Sequence, residues 1–78
     1  MSHTPHELAE DFPEYVEKIQ ALKTSNTHFA KLFDAYHEVN RAVHRAETDV
    51  EPMSDADTEA LRRERMRLKD EIYALLAA

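Results

Sequence analysis

Asp55, Asp57 and Glu59 stand at alternate positions in S-D-A-D-T-E, the spacing at which a calcium loop offers its first carboxylates. Such a loop also needs a glycine at its sixth position for the sharp turn and a bidentate acid at its twelfth. Counted from Asp55, those places hold Ala60 and Met66, so the calcium reading is excluded. The next residues with chemical potential are Arg62, Arg63, Arg65, Arg67 and Lys69, charges that a nucleic-acid-binding helix would aim at phosphate. At about 100° per residue, Arg62 and Lys69 fall on one flank and Arg63 and Arg67 on the far side, with Arg65 in the apolar stripe. Five bases facing three directions among Glu64, Asp70 and Glu71 predict a solvated helix, with Glu59 and Arg63 as a supporting pair.

Five histidines invite metal chemistry. His3 and His6 share a face of the N-terminal segment beside Glu7, but H-E-L-A-E lacks the second histidine of H-E-x-x-H. His37 and His44 are seven residues apart, ~10 Å along a helix, too far to chelate one ion. Asp34-x-x-His37 is a lone pair, whereas a di-iron bundle repeats Glu-x-x-His and adds two further carboxylates. All five histidines, including His28, are therefore expected at the surface, and no metal or cofactor is expected. Ser25 and Ser54 have no nucleophile context, and a chain without glycine has no phosphate-cradling loop. No enzyme is predicted.

The remaining signals concern helices. Thr4-Pro5 reads as a cap and first-turn proline opening a short helix over about 5–12, and Pro13 opens a long one over about 13–49, with Glu14 and Glu17 at its positive end. Along it Ile19, Leu22, Phe29, Leu32, Phe33, Tyr36, Val39 and Val43 build a heptad-like seam. Thr24-Ser25-Asn26 offers a place to bend, although no Pro or Gly forces a break. Pro52 stops the helix in an acidic turn over about 50–54. Ser54 then caps a second helix over about 55–77, with Asp57 replacing the usual Glu of a capping box.

Leu61, Leu68, Ile72 and Leu75 form the seam of this second helix, with Arg65 among them. The chain is thus expected to be a single all-α domain, an antiparallel two-helix hairpin. Register brings Leu61 to Val43, Leu68 to Tyr36, Ile72 to Leu32 and Leu75 to Phe29, and sets Arg65 opposite Glu38 or Val39. The first arm would span ~50 Å and the second ~33 Å, leaving Ile19 and Leu22 beyond the second helix.

Seventy-eight residues without cysteine bury little core, and 33% charged residues with no glycine suit long helices. No apolar run reaches the ~20 residues of a membrane span, and the acidic N-terminus is unlike a secretory signal, so the cytoplasm is expected. Residues 1–17 hold five acids and no Lys or Arg, whereas residues 18–45 hold five bases and two acids. Alternating charge blocks suit self-association or intramolecular pairing better than one polyanionic partner. A homo-oligomer, first of all a dimer, is expected, with Met66, Tyr73 and Leu76 as a second apolar flank. An unidentified protein partner is the other outlet for that surface. The competing functional reading is a nucleic-acid-associated regulator using the basic segment of the second helix.

THFAKLFDAYHEVNRAVHRAE followed by PMSDADTEALRRERMRLKDEIYALL resembles the YdcH-like family of small bacterial proteins, and HELAEDFPEYVEKIQALK matches its usual opening. The likeness covers almost the whole chain. Its most specific pieces are His28-Phe29, Tyr36, Arg45-x-Glu47, Ser54-Asp55 and Leu68 to Tyr73, while Val39 and Val43 stand where longer aliphatics are common. The resemblance implies a two-helix hairpin in a bacterial cytosol, and it implies no activity.

Overall fold

A computed structural model describes residues 7–48 and 53–78. The Thr4-Pro5 cap, His3, His6 and the Pro52 region of the acidic turn lie outside the described residues. The fold is all-α, with no strand among the described residues.

The single helix expected over 13–49 is instead three elements. A four-residue helix α1 (Leu8–Asp11) ends at Phe12, whose φ of −126° and ψ of 61° reflect the restriction that Pro13 places on its predecessor. Pro13–Tyr15 is a 3₁₀ turn, followed by α2 (Val16–Ser25). The break comes at the polar run. Thr24 Oγ1 and Ser25 Oγ both donate to the Ala21 carbonyl, at 3.0 and 2.8 Å, so local side-chain bonds occupy the last turn. Asn26 then leaves the helix at φ −131° and ψ 105°, and its Oδ1 accepts the Phe29 N–H at 3.0 Å. That bond makes it the N-cap of α3 (Thr27–Glu47). No Pro or Gly is needed when Asn can end one helix and start the next.

Ser54 starts α4 (Asp55–Ala77) with extended backbone, and its Oγ accepts the Asp57 N–H at 3.1 Å. Asp55 and Asp57 place negative charge in the first turn, where the exposed N–H groups favour it. Both caps make one prediction. Asn26→Ala and Ser54→Ala are each expected to cost ~0.5–2 kcal/mol, read as a lowered urea midpoint at unchanged slope. An unshifted midpoint would remove that cap from the account.

Helices α3 and α4 make the largest contact of the fold and run in opposite directions. Arg62 reaches Glu47 while Arg65 reaches Asn40, so rising numbers on α4 meet falling numbers on α3. Register alone sets Arg65 opposite Glu38 or Val39, whereas in the fold it donates to the buried Asn40, through Nη1 to Oδ1 at 3.1 Å. A guanidinium in an apolar stripe needs an acceptor, and the side-chain amide supplies one without a second buried charge.

The break at Asn26 lets α2 turn back. Lys18 Nζ donates to the carbonyls of Leu76 and Ala78, at 2.6 and 2.9 Å, satisfying groups that a helix C-terminus leaves open. Ile19 joins the same core as Leu76, Ile72, Leu68, Tyr36, Phe29 and Leu8. The longest dimension is accordingly 37 Å, short of a straight ~50 Å arm. Ile19 and Leu22 are not stranded beyond the second helix, since Ile19 is buried and Leu22 packs against the core. Leu76 is fully buried rather than part of an outer flank.

Candidate interaction surface

Of the seam residues named from sequence, Ile19, Phe29, Tyr36, Val43, Leu68 and Ile72 are buried. Leu22, Leu32, Phe33, Val39, Leu61 and Leu75 are half-buried. Although Phe12 and Tyr15 pack on part of the Tyr73 ring, Met66 and Tyr73 stay exposed, at 66% and 46%. They are seven residues apart on α4 and so share a face, with Arg62 and Lys69 on the same stripe.

Beside this stripe lies a groove of about 410 Å³, lined by Tyr36, Glu59, Arg62, Arg63, Arg65, Met66 and Lys69. Four of the five bases of α4 contribute to this lining, although Arg65 turns to Asn40, Arg62 to Glu47 and Lys69 to Asp11, and Arg63 extends into solvent. Arg67 alone turns away, bonded to Glu64 through Nε at 2.7 Å and to Glu71 through Nη1 at 2.5 Å. Those bonds hold the Glu64 carboxyl below the usual carboxylate range and raise the Arg67 guanidinium further above its own.

The groove cations differ in how far they are neutralised. Arg62 donates through Nε and Nη2 to Glu47 Oε2, at 3.2 and 3.0 Å. Lys69 Nζ lies 2.8 Å from Asp11 Oδ2 and 5.4 Å from the Phe12 ring centroid. Arg63 is 81% exposed and touches Glu59 only at 3.8 Å. Tyr36 forms the floor, fully buried, and burial pushes its phenol up to about 12, with the Asp11 charge adding and the Arg65 charge opposing. Below the groove Phe12 stacks on Tyr73 at 5.5 Å between centroids, and Tyr15 meets Tyr73 edge-on at 6.2 Å. Withdrawal from water, then the neighbouring Tyr73, raises the Tyr15 phenol.

His37 overturns the expectation of five surface histidines, for it is 6% exposed. His28 is exposed and His44 half-buried. The His37 Nδ1 lies 3.0 Å from the Phe33 carbonyl and its Nε2 2.5 Å from Glu7 Oε2. The ring leans on Phe33 at 4.3 Å between centroids, beside the buried Leu8, whose N–H points at Nε2 from 3.5 Å. Through these contacts His37 fastens the N-terminal segment to α3. Its sequence signal was the Phe33, His37, Asn40 stripe, one row beside the seam. No group of three or more potential metal ligands occurs among the described residues.

Residues 29–76 match a family described as "Protein of unknown function (DUF465)", which covers α3 and α4. The chain belongs to the DUF465 family. Among its relatives is the Escherichia coli (strain K12) protein called "Uncharacterized protein YdcH", 31% identical over 65 residues, spanning 83% of this chain and 88% of that one. The protein of the same description from Shigella flexneri matches to the same extent. Both relatives are bacterial, and the family match agrees with the resemblance carried by the His28-to-Leu76 residues. No solved structure matches the chain. The DUF465 match begins at Phe29, so α1 and α2, which cover one end of the α3–α4 pair, lie outside it. No helix among the described residues is long and apolar enough to cross a membrane.

Proposed function

We propose that the protein is a small non-enzymatic helical interaction module, a cytoplasmic helical hairpin that self-associates through the open face of α4. The observation that carries this reading is the exposed pair Met66 and Tyr73 on one stripe, in a chain too small to bury much core by itself. Aromatic and Met side chains are enriched where proteins meet, because each buries a large area in one contact. A second copy is the partner always at hand, and two-fold pairing of one patch with itself closes after two chains. Light scattering coupled to size exclusion at tens of micromolar is expected to report at least twice the 9.1 kDa chain mass. A cooperatively melting monomer at that concentration would show the reading to be wrong.

The gathering of Arg62, Arg63, Arg65 and Lys69 favours a second reading, a nucleic-acid-associated regulator. Against it stand the Glu47 and Asp11 carboxylates already paired with Arg62 and Lys69, and the net charge of −6. Titrating the same sample against a labelled duplex DNA at ~0.15 M salt separates the two.

A further inference from the structure

The groove places four cations around one lining acid in a chain of net charge −6. The same chain carries five acids and no Lys or Arg between Glu7 and Glu17. Of these, Glu14 and Glu17 are exposed, beside the half-exposed Val16. Asp11 already reaches Lys69 at the edge of the groove, but Glu14 and Glu17 do not reach Arg63 of their own protomer. Tyr15 meets Tyr73, and Lys18 is bonded to the carbonyls of Leu76 and Ala78, so the acidic turn sits at the far end of α4. Arg63 lies ~15–20 Å away along the helix.

Resting on the self-association reading, we infer that the groove of each copy receives the Glu14–Glu17 turn of the other, in an antiparallel two-fold dimer about α4. The stripe itself sets the register. An axis passing between Lys69 and Asp70 lays Met66 against the partner's Tyr73, and Tyr73 against the partner's Met66. Lys69, bonded to Asp11 of its own protomer, then also faces the partner's Asp70, which is exposed on the free protomer. The same axis carries the Arg62–Arg63 end of one helix to the C-terminal end of the other, where the partner's Glu14 and Glu17 stand. One apolar pair and one charged pair, each made twice, thus follow from a single axis. Arg63, the most exposed of the groove cations and touched by Glu59 only at 3.8 Å, gains carboxylates, and Glu14 and Glu17 gain a base.

Because each contact joins different surfaces, it can be broken on either side and restored by mixing. Arg63→Glu sets like charges against the partner's acids, and Glu14→Lys with Glu17→Lys sets like charges against the partner's groove. All three positions are exposed, so both variants keep the fold, which their circular dichroism melts verify. Each variant alone is expected to dimerise roughly tenfold or more weakly than the wild type, and high salt weakens the wild-type dimer in the same direction. An equimolar mixture of the two variants forms one heterodimer in which both contacts are attractive again, and it is expected to regain near-wild-type association. A wild-type dimer with both variants unaffected overturns this interface and leaves the self-association reading standing. Weakened variants that the mixture fails to restore overturn the mutual docking. A wild-type monomer removes both readings together. Tight binding of a short duplex DNA at ~0.15 M salt, lost on Arg63→Glu, overturns the inference by assigning the groove to phosphate.

Discussion

Phe29→Ala is expected to destabilise the fold by ~3–5 kcal/mol, the range for removing a fully buried aromatic ring. A domain of this length has ~4–12 kcal/mol in total, so the variant should be largely or wholly unfolded at moderate temperature. Phe29 has two structural duties at once. Its side chain is fully buried in the core shared with Ile19, Tyr36 and Leu76, and its N–H is the one that Asn26 caps. The ring also lies 6.5 Å from that of Phe33 on the next turn. Truncation therefore opens a cavity at the joint where α2 turns back on α3. Urea denaturation followed by circular dichroism reads the effect directly. A loss below ~1 kcal/mol would mean that the site collapses around the missing ring, and that α2 is not held as described.

Alkali should unfold the protein through Tyr36. The phenol is raised from its ordinary value of 10.0 to about 12, chiefly because the ring is buried where a phenolate would lose its hydration. The folded state thus holds this proton more tightly than the unfolded chain. The contribution to stability is complete below pH 10, declines as pH rises from 10, and is lost once pH passes about 12. The slope contributed within that window is at most ~1.4 kcal/mol per pH unit. Tyr36→Phe retains the ring and deletes the titrating group, so its stability should lack this decline while sharing the rest of the alkaline profile. Urea midpoints for the two proteins between pH 9 and pH 12 make the comparison. Parallel profiles would show that Tyr36 ionises without leaving the core.

What was legible in sequence was local. Helix caps and breaks depend on groups within four residues of one another, and the cap at Ser54 could be read from S-D-A-D because the acceptor and the N–H that it serves are three apart. Apolar periodicity is equally local, and it named Phe29, Tyr36, Val43, Leu68 and Ile72 before any packing was known. The break at Asn26 sat at the edge of what could be read. The polar run was visible, but whether it bends or ends a helix depends on competition between side-chain hydrogen-bonding groups and the backbone ladder, which the bonds to Ala21 and the Asn26 cap decide here.

Tertiary structure alone decided which surfaces are covered. Leu8, His37 and Leu76 are buried by partners far away in sequence: Glu7 is fastened to His37, Lys18 to Leu76, and Asp11 to Lys69. A wheel diagram gives each side chain a direction, yet burial depends on what arrives from that direction, which periodicity within one helix does not encode. The basic groove has the same origin. Arg62, Arg63, Arg65 and Lys69 of α4 line one concavity together with Tyr36 of α3, so it takes both helices to form it.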